Sequence, residues 1–177
     1  AAHTDRVSCV AITADGATAI STSLDKTLII WDIASGAVRH ILTGHRDEVW
    51  RVAIAPDGAT AISVSSDKTL IVWDIVDGVA RFTLTGHTRE VIHVAITPDG
   101  RDAISASADN TLIVWDIDTG QARHILAGHT DYVGHVAITP DGVTAISASG
   151  DNTLIVWDIA TGQAWRTLTG HTDRSEE

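Results

Sequence analysis

A histidine, a serine, an aspartate and a tryptophan recur together four times along the chain. The sets are His3, Ser21, Asp25 and Trp31; His45, Ser63, Asp67 and Trp73; His87, Ser105, Asp109 and Trp115; and His129, Ser147, Asp151 and Trp157. Each member stands 42 residues beyond its counterpart in the preceding set. Serine, histidine and aspartate are the parts of a hydrolytic triad, in which histidine takes the serine proton and aspartate orients the ring. A triad, however, works once, beside one oxyanion hole and one substrate cleft. The same set in every copy suits a structural brace, so no catalytic residue is expected. No nucleophile elbow, phosphate loop or unique carboxylate pair stands outside the repeat. Neither a metal nor a cofactor is expected at these histidines, because one per unit keeps potential ligands apart. His93 and His135 read as ordinary residues of first strands, and His40 and His124 as ordinary residues of fourth strands.

The elements that must position these sets form one unit of 42 residues. Residues 87–128 and 129–170 are identical at 31 of 42 positions. The units run 3–44, 45–86, 87–128 and 129–170, and 171–177 begins a further copy that abandons the pattern after Arg174. Val7 to Thr13 reads as a short apolar strand. The turn after it is Ala14-Asp15-Gly16 in the first copy and Pro-Asp-Gly at 56–58, 98–100 and 140–142. Proline fixes φ and glycine supplies φ > 0, which is what such a turn needs. Thr18 to Ser23 is a second strand, and Asp25-Lys26 a tight turn. Thr27 to Trp31 is a nearly continuous apolar strand, as expected when both faces are covered. A turn ending at Gly36 leads to Val38–Thr43, more polar, as an outer edge should be. No helical periodicity appears, so the fold class is all-β.

Gly44-His45, Ser63, Asp67 and Trp73-Asp74, with their equivalents in the other copies, resemble the WD-repeat (WD40) family of β-propellers across essentially the whole chain. Ala2 replaces the glycine before the first histidine. The resemblance implies four four-stranded antiparallel blades. It also implies that tryptophan, serine, histidine and aspartate form one hydrogen-bonded chain within each blade. Four blades closing alone would each have to turn about 90°, whereas eight need about 45° each. The first and last copies are as apolar as the middle ones, without the polar capping units that repeat arrays use. A homodimer closing an eight-bladed ring is therefore expected; the alternative is a processed or excised fragment whose remaining blades come from sequence not present here.

Comparison among the copies separates brace from surface. Variation concentrates at three places: Thr4-Asp5-Arg6, Arg46-Asp47-Glu48, Thr88-Arg89-Glu90 and Thr130-Asp131-Tyr132; then Ser8, Trp50, Ile92 and Gly134; then Leu24, Ser66, Ala108 and Gly150. The resemblance puts all three at one rim. Arg6, Glu48, Trp50, Glu90, Ile92 and Tyr132 are the candidate partner-binding residues, since Trp, Tyr and Arg are enriched at binding hot spots. The expected function is a non-catalytic scaffold for a protein or peptide partner. The alternative is a purely structural, self-assembling repeat fragment, amplified or engineered, without a ligand. With 12 Lys and Arg against 23 Asp and Glu the net charge is −11. That argues against nucleic acid and against anionic membrane surfaces. No apolar run reaches the roughly 18 residues of a membrane span, and no signal peptide is expected before the first copy. The single cysteine, Cys9, reads as a small buried hydrophobe, and such sparse cysteine usage fits a reducing cytoplasm.

Overall fold

The computed structural model describes residues 2–170. Among them are four antiparallel sheets of four strands, each in simple chain order. The first holds β1 (Val7–Ile12), β2 (Thr18–Ser23), β3 (Thr27–Asp32) and β4 (Val38–Thr43). The second holds β5 (Val49–Ile54), β6 (Thr60–Ser65), β7 (Leu70–Asp74) and β8 (Val79–Leu84). The third holds β9 (Val91–Ile96), β10 (Asp102–Ser107), β11 (Thr111–Asp116) and β12 (Ala122–Ala127). The fourth holds β13 (Val133–Ile138), β14 (Thr144–Ser149), β15 (Thr153–Asp158) and β16 (Ala164–Thr169). The described chain contains no helix.

The turn chemistry explains the hairpins. In the second blade the Gly58 amide donates to the Ala55 carbonyl (3.0 Å), at φ 66°. The Asp57 carboxylate accepts from the amides of Ala59 and Thr60, both at 2.9 Å. Aspartate thus closes the turn that glycine permits. The turn between second and third strands differs. Lys26, Lys68, Asn110 and Asn152 sit there at φ of 73°, 73°, 72° and 65°. Asparagine tolerates that region better than lysine, so only half the copies show a sequence signal for it.

Each first strand carries a β-bulge. Val7 pairs with Ser23 and Cys9 with Thr22, which leaves Ser8 as the extra residue. Trp50, Ile92 and Gly134 are skipped in the same way. A bulge re-aims a side chain out of the strict alternation. A second bulge, in the fourth strand, skips Arg39, Arg81, Arg123 and Trp165.

The core lies between sheets. Ile20, Leu28, Ile30 and Leu42 of the first blade pack on Val52, Ala61, Ile71, Trp73 and Ile75 of the second. The pattern repeats between the second and third blades and between the third and fourth. At about 1.5–3 kcal/mol per buried large side chain, these seams dominate the stability. His40, Phe82 and His124 add a clasp between neighbouring blades. His40 Nε2 lies 3.1 Å from the Val76 carbonyl and His124 Nε2 2.9 Å from that of Ala160. A Cβ on Gly78 would come within 2.5 Å of the His40 ring, and one on Gly120 within 3.0 Å of the Phe82 ring. The fourth-strand histidines therefore join blades rather than merely occupying a strand.

Two faces lack this partner. Val10 is 61% exposed, whereas Val52, Val94 and Val136 at the same place are 6%, 5% and 1% exposed. Leu168 is 38% exposed, against at most 2% for Leu42, Leu84 and Leu126. One open face belongs to the first blade and the other to the fourth.

Candidate functional site: the brace and the rim

In every blade the four recurring side chains meet. His3 Nδ1 is 3.0 Å from the Asp25 carboxylate, and the other copies give 2.9, 2.9 and 2.8 Å. His3 Nε2 is 2.8 Å from the Ser21 hydroxyl, and the other three pairs stand at 2.7 Å. The indole N–H of Trp31, Trp73, Trp115 and Trp157 reaches that same hydroxyl at 2.8 Å. Donor chemistry fixes the direction of the chain. Indole can only donate, so serine accepts from tryptophan and gives its own proton to histidine Nε2. Histidine then carries its hydrogen on Nδ1 and donates it to aspartate.

The aspartate is saturated. Asp109 accepts from His87, from the Thr88 amide (2.9 Å), from the Thr111 hydroxyl (2.6 Å) and from the Thr111 amide (3.0 Å). Burial would raise its carboxyl, but the bonds from Thr111, the Thr88 amide and His87 bring it down to about 2. Asp25, Asp67 and Asp151 are pushed below the usual carboxylate range by the same arrangement. Burial also lowers His87, against the pull of Asp109, and so favours the neutral ring. Thr27, Thr69, Thr111 and Thr153 thus belong to the brace, as do Ser23, Ser65, Ser107 and Ser149, whose hydroxyls receive the aspartate amide at 3.1 Å. Their spacing of 42 was the available signal; threonine and serine are too common in strands for it to stand out.

The histidine–serine–aspartate distances are those of a hydrolytic triad, but the serines are closed off. Ser63, Ser105 and Ser147 have no exposed surface, and each hydroxyl is already engaged by indole and imidazole. A substrate carbonyl has no path to them. The aspartate of the first Trp-Asp pair organises the turn to the fourth strand: Asp32 accepts from the Ser35 amide (2.9 Å) and hydroxyl (2.8 Å) and pairs with Arg39.

A family model described as WD domain, G-beta repeat matches residues 1–32, 36–74, 78–116 and 120–158. The chain belongs to the WD40 family. No curated protein matches the sequence. From the second match on, the WD40 sequence unit opens with the last strand of one blade and closes with the third strand of the next. Covalent linkage therefore runs across each seam between blades.

The variable positions of this WD40 chain lie together. The amides of Leu24, Ser66, Ala108 and Gly150 donate to the carbonyls of Arg6, Glu48, Glu90 and Tyr132 at 2.9–3.0 Å. The Trp50 indole N–H donates to Ser66 Oγ (2.7 Å), and the ring packs on the core between the second and third blades. Trp50 is therefore half-buried, not a free rim residue, and Ile92 is half-buried as well. Tyr132 is exposed and lies over Gly150 and Gly134, where a Cβ on Gly150 would come within 2.4 Å of its ring. Arg6 and Glu90 are exposed, whereas Glu48 is half-buried. On the same rim the Lys26 ammonium donates to the Arg46 carbonyl (3.1 Å), and the Asn110 side-chain amide donates to that of Thr130 (3.3 Å), blade to blade. Cys9, expected to be buried, is only partly so. It stands on the first strand, whose outer face is open.

His93 and His135 stand on adjacent first strands with ring centroids 3.9 Å apart, tilted by 38°. Burial, then the neighbouring His135 and Arg51, lower His93 to about 4. The pair was invisible in the sequence, because its contact joins positions a whole unit apart.

Proposed function

We propose that this WD40 chain is a non-catalytic scaffold that presents its variable rim to a protein or peptide partner, and that a second copy closes it into an eight-bladed ring. One observation carries the scaffold reading. The copies differ at positions that hydrogen bonds draw into one local patch per blade, while the brace repeats in all four. The closed serine hydroxyls support the absence of catalysis, and the charge of −11 weighs against nucleic acid and anionic lipid. The ring reading is supported by the two open faces, which are the two halves of a seam the chain forms three times internally. The self-assembling repeat fragment without a ligand is the second reading, and those open faces are what favours it.

Selection of a peptide library on the purified protein tests the scaffold. Binders are expected to footprint Arg6, Glu48, Glu90 and Tyr132, and Tyr132→Ala should weaken them by about 1 kcal/mol or more. Trp50→Ala should lower both affinity and stability, because the indole also packs on the core. Footprints confined to the Pro-Asp-Gly turns of the other rim would contradict the reading. A library that yields no specific binder would favour the second one.

A further inference from the structure

The first strands of successive blades stand side by side, β1 against β5, β5 against β9 and β9 against β13. At the residue after the bulge they carry Cys9, Arg51, His93 and His135, each 42 positions from the last. His93 is nine-tenths buried, yet its Nδ1 has no hydrogen-bond partner. A buried nitrogen left without a partner is costly and calls for an explanation. Its ring stacks on His135 at 3.9 Å. Within one copy, no group of three His, Cys, Asp or Glu among the described residues could hold a metal ion.

Ring closure changes this. The fourth blade of one copy then meets the first blade of the other as the third meets the fourth. Cys9 of the second copy takes the place beyond His135 that His135 takes beyond His93. We propose that closure of the ring completes a site for a divalent transition metal, with His93 and His135 of one copy and Cys9 of the other as its ligands. The proposal rests on the eight-bladed reading above, and it gives two such sites per ring.

The donor set suits zinc, cobalt or copper, which imidazole and thiolate prefer over the hard oxygen-seeking cations. At zinc–nitrogen distances of about 2.0–2.1 Å, two imidazoles share a tetrahedral ion when their nitrogens are roughly 3.3 Å apart. The two ring centroids stand 3.9 Å apart, on the scale of that separation. The next position beyond Cys9 is held by Arg51 of the same copy. The other Arg51, beside His93, opposes the metal charge, so affinity must come from the donor atoms rather than the field.

Cobalt(II) titrated into the untagged protein tests the site, with the mass measured on the same sample. The expected result is a doubled mass, one cobalt per chain and a thiolate-to-cobalt charge-transfer band. Cys9→Ser should remove the band while the mass stays doubled. His135→Gln should weaken cobalt binding by at least about tenfold. A doubled mass without a band, or binding unchanged in the His135 and His93→Gln variants, overturns the site and leaves the ring standing. A single-chain mass overturns both.

Discussion

Trp115 is a donor whose proton has one destination, the hydroxyl of Ser105, 2.8 Å away in a buried site. Trp115→Phe keeps most of the ring but removes the donor to that hydroxyl, leaving it only its bond to His87. The expected cost is about 1–3 kcal/mol, read as a lowered denaturant midpoint. Ser105 itself should not react with a fluorophosphonate probe, and labelling that disappears in Ser105→Ala would mean a working nucleophile. Acid should weaken the same network. Asp109 is held ionised down to about 2, so its contribution is complete above the ordinary 3.8 and is lost as pH falls through about 2. His87 is held neutral below its ordinary 6.5, so the unfolded chain takes up that proton first and stability begins to fall below 6.5. Both shifts act in one direction: the denaturant midpoint should drop steadily on acidification from about pH 7 to about pH 3, and a midpoint that rises would contradict the brace. The four brace types were legible because rare residues recurred at fixed spacing. Thr111 and Ser107 were hidden by their commonness, and the His93–His135 contact by lying between strands that no local pattern connects.

Elements were legible where alternation and turn chemistry agreed, as in β2, β3 and the Pro-Asp-Gly turns. They were less so at the bulges, since a skipped residue leaves no mark on composition. Trp50 shows the consequence: its strand position suggested a free rim residue, while the bulge turns the indole toward Ser66 and the core. The clasp between blades gives an internal control. Gly78 and Gly36 adopt φ of 69° and 70°, but a Cβ on Gly78 would strike His40 while one on Gly36 would meet nothing. Alanine at either site should incur the left-handed backbone cost of about 1–2 kcal/mol. Gly78→Ala should lose more than Gly36→Ala, because His40 must leave the Val76 carbonyl. Equal losses by chemical denaturation would mean that the clasp adds nothing.

At the scale of the molecule the repeat defines the blade but not how many blades make a ring, because each unit specifies only its contact with the next. That contact is formed three times inside the chain and left half-made at both ends. Val10 and Ile12 on one side and Leu168 on the other remain exposed where their equivalents in the other blades are more deeply covered. Covering these faces with a second copy repeats a seam already present and leaves no free face. Each copy brings a net charge of −11, so added salt should favour closure by screening the repulsion. Light scattering on the folded, soluble protein at micromolar concentration tests closure most directly. A mass of twice 18.7 kDa is the expected result, and a stable mass near 18.7 kDa would contradict it.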